Sequence, residues 1–271
     1  MTFEAILVHA EPDPATGARL ETAAILARRF DATLMGLGAQ TVEWAGVSEL
    51  SALFSGGAVD DQVQRDLKLA GEHFGRHAAS TRHTWLALRE PPAEAMARLS
   101  RSADLIVAGG APLHDIAGHG GADTADLVLL SGRPVLVAPP SGGWLRAAQV
   151  VVAWKDRREA RRAVADAMPF LALADEVVVL EICDPGEFGE AQYRTFEVSE
   201  HLKRHGVKAR PLAKISLPDR IWAELNLEAA AIGADLIVSG AYGHHRLQER
   251  VLGGLTRQLL DDPQRFVLLS H

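Results

Sequence analysis

The sequence predicts an α/β fold of two tandem domains, each a doubly wound sheet of five parallel strands with helices on both faces. Three observations predict it. The chain has 271 residues, which suits two domains of ordinary size. Segments of the first half recur in the second half in the same order. Short apolar runs alternate with stretches of helical periodicity along the chain.

An internal repeat decides the domain organisation. The repeated segments are ADLIV at 103–107 and 234–238, an opening strand at 5–8 and 150–153, and a closing strand at 133–137 and 265–269. Three matches in the same order indicate a duplication. Between the copies, residues 139–143 read Pro-Pro-Ser-Gly-Gly, which predicts a linker because it can neither continue a strand nor begin a helix. We place an N-terminal domain at 1–141 and a C-terminal domain at 146–271.

Strands and helices alternate within each half. Strands are predicted at 6–9, 32–38, 83–88, 104–108, 134–138, 149–154, 176–182, 207–213, 235–239 and 265–269. Helices are predicted at 15–29, 59–80, 91–101, 122–131, 157–172, 188–204, 218–232 and 250–261. This alternation requires right-handed crossovers and gives a parallel, Rossmann-like sheet. Such sheets bind ligands where the strand order reverses, so we expect a site at the ends of the first and fourth strands of each half.

Residues 41–57 interrupt this pattern after the second strand. We interpret them as an insertion whose apolar residues cover the edge of the core or form an oligomer contact. These apolar residues are Trp44, Leu50, Leu53 and Phe54.

Composition narrows the classes of function. The net charge is −7 and the basic residues are scattered, which argues against nucleic acid as a partner. The single cysteine, Cys183, excludes an intramolecular disulfide, and its place after an apolar strand favours a buried structural thiol over a nucleophile. The N-terminus lacks signal-peptide features, and no apolar stretch reaches the roughly 18 residues that span a bilayer. We therefore expect a cytoplasmic protein without membrane contact.

A glycine-rich stretch follows the fourth strand of the second half. Gly240 and Gly243 end that strand, and the last helix begins with Gly253, Gly254, Leu255 and Thr256. Glycines let backbone N–H groups approach an anion closely, and the helix N-terminus adds partial positive charge. The threonine hydroxyl could donate to a phosphate oxygen. The stretch predicts a phosphate-binding site; the alternative is that these glycines only form turns and relieve crowding.

The same stretch resembles the universal stress protein family, whose nucleotide-binding members carry G-x2-G-x9-G-(S/T) at this place. The three glycine positions are filled by Gly240, Gly243 and Gly253. Gly254 stands where the family has a hydroxyl residue, and similar segments at 6–9 and 151–160 extend the resemblance over essentially the whole chain. The resemblance implies an adenine nucleotide alpha hydrolase-like fold, binding of ATP with Mg²⁺, a role in the stress response, and dimerisation through the fifth strand.

A second departure from the family lies at the end of the first strand of the second half. Nucleotide-binding members of the family that this chain resembles carry a motif similar to V-D-x-S there, and its aspartate lies near the adenine. This chain has Lys155 at the matching position. Two interpretations stay open: a solvated surface lysine, or a cation that points into the crevice and neutralises an anionic group. Both weaken the case for adenine recognition.

The first half has the complementary pattern. Glu11 keeps a carboxylate at the aspartate position, but Pro112 replaces the second glycine and removes an N–H donor. Asp123 puts a negative charge where a phosphate would lie, so we predict that this half does not bind ATP. Four residues there could ligate a metal: His114, Asp115, His119 and Asp123. Polar surface loops are far commoner than such sites, and no metal is predicted.

These observations favour a stress-associated protein that binds ATP weakly in its second half. No residue is identified as a base that activates water, so we expect binding, with at most slow hydrolysis, rather than catalysis. One alternative is a scaffold or sensor that acts through protein contacts without a nucleotide; another is a different small ligand in the first-half crevice. The apolar fifth strands at 134–137 and 266–269 predict that the halves pair as a pseudo-dimer within one chain and that a further homodimer can form.

Overall fold

The structure, a computed structural model, describes residues 2–10, 13–40, 49–110, 122–241, 254–261 and 263–271, without the side chains of residues 49–60. The strands are β1 (Ala5–His9), β2 (Thr33–Ala39), β3 (His83–Leu88), β4 (Leu105–Ala108), β5 (Val135–Val137), β6 (Gln149–Ala153), β7 (Glu176–Cys183), β8 (Ala209–Ile215), β9 (Leu236–Gly240) and β10 (Phe266–Ser270). The helices are α1 (Thr16–Phe30), α2 (Glu49–Ala78), α3 (Pro92–Leu99), α4 (Thr124–Leu130), α5 (Arg158–Leu171), α6 (Phe188–Arg204), α7 (Ile221–Ala231) and α8 (Gly254–Asp261).

All strands join one sheet in the order β3-β2-β1-β4-β5-β10-β9-β6-β7-β8. Strands are parallel within each half, and the halves meet where β5 and β10 pair antiparallel, with Leu136 opposite Leu268. The predicted pair of five-stranded parallel sheets, joined as a pseudo-dimer through the fifth strands, is therefore confirmed. The strand order reverses between β1 and β4 and again between β6 and β9, which makes those strand ends the expected binding positions.

Helices cover both faces of the sheet, and each face has one hydrophobic cluster that runs across both halves. Helices α1, α2, α5 and α6 pack on one face, and α3, α4, α7 and α8 pack on the other. On the first face, Phe3 and Phe30 contact Phe170 of the second half, with ring centroids 5.3 and 5.5 Å apart. Each such aromatic contact contributes about 0.5–1.5 kcal/mol beyond its buried area. The two halves therefore share a core as well as a strand pair.

Helix α2 differs from the prediction because it begins at Glu49 rather than near residue 59. Residues 49–57 of the predicted insertion are thus helical and continuous with the helix predicted at 59–80. The helix includes the glycine pair at 56–57, although each glycine in a helix interior costs about 1 kcal/mol relative to alanine. A 30-residue helix tolerates them. Residues 41–48, with Trp44, and the side chains of Leu50, Leu53 and Phe54 lie outside the described part of the chain.

The predicted linker is a turn that is fixed against α1. The Gly142 N–H donates to the Pro139 carbonyl at 2.8 Å, and Gly142 has a φ of +59°, a conformation that favours glycine. The Thr22 hydroxyl donates to the Gly143 carbonyl at 3.0 Å, and Leu145 is buried. Among the described residues, no helix is long and apolar enough to span a membrane.

Candidate functional site

A cavity of about 250 Å³ lies at the carboxyl ends of β6 and β9, at the order reversal of the second half. Its apolar walls come from three strand residues, Ala153, Leu180 and Ile182, and three helix residues, Ile221, Leu225 and Leu255. Trp154 also lines it, and the buried indole N–H of this residue has no acceptor among the described residues. An apolar slot of this size, with few polar groups, suits a flat heterocycle.

Lys155 and Arg157 line the cavity beyond the end of β6. The Lys155 Nζ atom lies 3.0 Å from an oxygen of Glu187 and 3.7 Å from an oxygen of Glu181, and the side chain is 53% exposed. Lys155 therefore combines the two interpretations: it is partly solvated, it borders the crevice, and protein carboxylates neutralise it. Arg157 is exposed, and its charge is one of the causes that lower the pKa of the Glu187 carboxyl, after the hydrogen bond and the charge of Lys155.

Behind Lys155 lies an ion pair between a fully buried carboxylate and a partly exposed arginine, which the sequence did not predict. Glu181 of β7 has no exposed surface, and Arg194 of α6 donates to both of its oxygens, at 2.7 and 3.1 Å. Arg194 also bonds Glu190 at 3.0 Å. The hydrogen bond from the guanidinium to Glu181 outweighs burial and raises the pKa of Arg194. With Lys155 3.7 Å away, Glu181 therefore has two cationic partners beside the cavity.

Glu159 is a second carboxylate that sequence reasoning missed. It lies in the first turn of α5, lines the cavity, and is only 7% exposed. Arg158 donates to its Oε1 at 2.6 Å. Burial alone would raise the pKa of Glu159, but the bond from Arg158, a bond from its own backbone N–H and the nearby charges of Arg158 and His271 together lower it. Glu159 is therefore an anion at neutral pH.

The structure brings three of the predicted site residues, Lys155, Gly240 and Leu255, into the cavity wall. Gly240 is glycine for a packing reason: a Cβ there would lie 2.5 Å from the backbone N of Ala160. At Gly254, a Cβ would meet no atom within 4 Å. Thr256 is buried in α8 and does not line the cavity. Gly243 and Gly253 lie outside the described residues.

No protein-family model matches the sequence, and no curated protein matches it. Solved structures do match. A universal stress protein from Archaeoglobus fulgidus DSM 4304 superposes with a TM-score of 0.67 over 98% of this chain and 95% of its own length, at 13% sequence identity. The chain has the universal stress protein fold.

Two proteins of Pseudomonas aeruginosa are also similar over nearly their whole length. A functionally unknown protein from strain PAO1 has a TM-score of 0.61 and 17% identity, covering 99% of this chain and 92% of the other. A candidate universal stress protein from strain UCBPP-PA14 has a TM-score of 0.60 and 19% identity, covering 99% and 93%. At identities this low, structural similarity establishes the fold alone. The ligand must therefore be argued from the site itself.

In the first half of this universal stress protein fold, a buried cation packs against the equivalent strand end. The Arg19 guanidinium donates to Asp13 at 2.7 Å, to the Thr16 hydroxyl at 2.8 Å and to the His9 carbonyl at 3.3 Å. A Cβ on Gly109, just after β4, would lie 2.8 Å from Arg19 Nη1. The guanidinium of Arg19 therefore packs against the end of β4, whereas in the second half it is the backbone of α5 that packs against Gly240 at the end of β9.

Asp123 caps α4 in the first half, so its carboxylate has a structural role. It accepts hydrogen bonds from the backbone N–H groups of Ala125 at 2.8 Å and Asp126 at 3.3 Å. A phosphate at this helix start would need the same two donors. The sequence analysis treated Asp123 only as a charge that repels phosphate, whereas the structure shows that it is the N-cap of α4. Among the described residues, no group of three potential metal ligands occurs. Glu11, Pro112, His114, Asp115 and His119 lie outside them.

Cys183 is expected to react with an aromatic disulfide reagent at pH 8 at least about tenfold more slowly in the native protein than in guanidinium. The side chain is buried, and its Sγ lies 3.5 Å from the Lys214 carbonyl. Burial, and then the negative charge of Glu181, raise the pKa of the Cys183 thiol and reduce the thiolate fraction. The chain has one cysteine, so the signal has a single source. Glutathione in the same solutions corrects for the denaturant, and equal corrected rates would contradict burial of the thiol.

Proposed function

We propose that the chain is a tandem universal stress protein that binds ATP in the cavity of its second half. The observation that carries the proposal is an apolar cavity at the order reversal of β6 and β9, with the cation Arg157 in its lining. The apolar walls suit a base, and the guanidinium of Arg157 suits an anionic group. We propose binding rather than turnover, and a role in the stress response.

The residues of the second half fit a nucleotide in part. Leu180, Ile182 and Leu225 give the apolar contacts that a purine requires. Gly254, at the start of α8, leaves open space for a phosphate beside helix N–H groups. The aspartate that the family uses near the adenine is replaced by Lys155, whose partners Glu187 and Glu181 already neutralise it. We infer that the base is held by apolar contact, and that selection among purines is weak.

Calorimetric titration of ATP with Mg²⁺ is expected to give saturable binding at one site per chain. Gly254→Asp should weaken binding at least about tenfold, because it sets a carboxylate beside the phosphates. An aspartate at the start of α8 favours the helix dipole, so this variant should remain folded. Gly254→Ser restores the family's hydroxyl in open space and should tighten binding by about threefold or more.

Gly75→Asp provides the matched control. It makes the same charge change at a helical glycine of the first half, where a Cβ also meets no atom within 4 Å, and it should leave binding unchanged. ATP should raise the melting temperature of the wild type and of Gly75→Asp but not of Gly254→Asp. Absence of heat in the folded wild type would contradict nucleotide binding and favour the scaffold alternative. Binding that Gly254→Asp leaves intact would direct attention to the first-half crevice.

A further inference from the structure

We propose that the outer edge of β3 pairs with the same edge of a second copy of this chain, antiparallel, about a twofold axis at Leu86. The two ten-stranded sheets then continue into one another. This edge belongs to the first half, at the opposite end of the sheet from β7 and β8, and the proposed nucleotide cavity lies in the second half. The dimer and the binding of ATP are therefore separate properties.

The backbone groups of β3 point outward at alternate residues. Within the described part of the chain, β3 pairs with β2 alone. The Arg82 carbonyl accepts from the Leu34 N–H of β2 at 2.8 Å. Because such groups alternate along a strand, the N–H and C=O groups of Trp85 and Ala87 point away from β2. An edge with outward donors and acceptors is a template for another strand.

The other edge of the sheet, β8, is protected against such pairing. The Lys208 carbonyl accepts from the Val177 N–H of β7 at 2.9 Å, so by the same alternation Pro211 faces outward. Proline has no N–H to donate, and the charged residues Arg210 and Lys214 lie on the same strand. Strand β3 reads His-Thr-Trp-Leu-Ala-Leu and contains no proline and no Lys, Arg, Asp or Glu. One edge of the sheet is thus blocked and the other is open.

Apolar surface is exposed beside this open edge. Leu86 is 41% exposed and lies on the face opposite to Trp85, whose ring stacks on Phe74 of α2 with centroids 5.2 Å apart. A twofold axis at Leu86 brings the two copies of its side chain together and removes both from water. On the other face, an open groove beside Trp85 and Ala87 leaves room for the second strand.

Charge selects one register of the strand pair. Outward residues must oppose outward residues in an antiparallel pair, and two axes then overlap β3 equally, one at Trp85 and one at Leu86. An axis at Trp85 sets Arg82 opposite Leu88. An axis at Leu86 directs Arg82 toward Glu90 of the second copy, at both ends of the strand pair. These two side chains are 62% and 42% exposed, so they are accessible to a second chain. Opposite charges across strands stabilise a pair, which favours the axis at Leu86.

The oligomeric state of charge-reversed variants tests this arrangement. Sedimentation velocity of the wild type should show a dimer with a Kd of about 1–100 µM, because a strand pair buries less surface than a standard interface. Arg82→Glu and Glu90→Arg each set like charges opposite one another and should each weaken the dimer at least about tenfold. An equimolar mixture of the two variants should dimerise as the wild type does, because opposite charges then meet at both ends of the pair.

Ala87→Pro gives β3 the protection that β8 has. It removes an outward N–H without removing a hydrogen bond to β2, so the chain should remain folded by circular dichroism while the dimer weakens at least about tenfold. Arg210→Glu is the matched control for Arg82→Glu. Each of these arginines lies at an edge of the sheet and pairs with a carboxylate, Glu176 at 2.6 Å and Asp31 at 3.4 Å respectively. Arg210→Glu should leave the dimer unchanged.

Three results would overturn the inference. A wild type that stays monomeric over the whole concentration range would show that the edge of β3 is not an interface. A dimer that persists in Ala87→Pro, or that Arg210→Glu dissociates, would place the contact on another surface. Charge variants that dissociate alone and fail to associate when mixed would exclude the pairing of Arg82 with Glu90. Each of these results leaves the proposed binding of ATP standing, since calorimetric titration measures it separately.

Discussion

Arg194→Met is expected to lower the free energy of unfolding by about 3–5 kcal/mol, the largest effect of any single exchange considered for this chain. The variant leaves Glu181, which has no exposed surface, without the guanidinium that bonds both of its oxygens. The remaining cation, Lys155, lies 3.7 Å away and is half exposed, so it cannot replace a bidentate partner. Urea denaturation followed by circular dichroism measures the change.

The double variant Arg194→Met, Glu181→Leu should recover most of the loss, because removing both charges leaves no buried ion without a partner. Arg162→Met is the control: it breaks a helix-surface pair with Asp166 at 2.8 Å and should cost less than about 1 kcal/mol. A loss below about 1 kcal/mol in Arg194→Met itself would show that Lys155 or water satisfies Glu181. Failure of the double variant to recover would show that Arg194 acts through packing rather than charge.

Gly240→Ala is expected to destabilise the protein by about 3 kcal/mol and to abolish ATP binding. The added Cβ would lie 2.5 Å from the Ala160 backbone N and 2.6 Å from the Glu159 carbonyl carbon. Both are backbone atoms, so the first turn of α5 must move away from β9, and strain of this kind costs about 1–3 kcal/mol or more. The two elements that separate are those that line the cavity.

Gly254→Ala is the matched control for that experiment. Its Cβ meets no atom within 4 Å, so the free energy of unfolding should stay within about 0.5 kcal/mol of the wild type or rise slightly. Parallel urea titrations of both variants separate the packing role of Gly240 from the general effect of replacing glycine. Equal stability of the two variants would contradict close packing of α5 on β9.

Much of the fold could be predicted from the sequence because each strand is a short apolar run between helices. All of the predicted strands are present, and α6 has the predicted bounds of 188–204. The largest strand shift is in β8, predicted at 207–213 and found at Ala209–Ile215. This strand lies at an edge of the sheet and carries Pro211, so its hydrophobic pattern is weak and its bounds are poorly specified. Topology followed from the repeat and from the handedness of crossovers.

The site could be predicted only as a location. Strand order indicates the ends of β6 and β9, and the cavity lies there. The partners of Lys155 could not be predicted from the sequence. Glu181 lies in β7 and Glu187 in the turn before α6, and the number of residues between two elements does not determine the distance between their side chains. At position 240, a turn, a contact with phosphate and a closely packed helix would each require glycine, so the sequence alone does not tell these roles apart. Only the 2.5 Å approach of Ala160 identifies the packing role.

The antiparallel pairing of β5 with β10 within one chain frees each half from a symmetry constraint. In a dimer of identical chains, every substitution occurs twice, and the shared surface must remain complementary to itself. Fusion makes the association of the halves intramolecular and independent of protein concentration. The sequences of the halves can therefore diverge while the halves remain associated. One such divergence is at two equivalent glycines: the guanidinium of Arg19 approaches Gly109, whereas the backbone of α5 approaches Gly240. Each half can thus change its own strand ends while the pairing of β5 with β10 is kept.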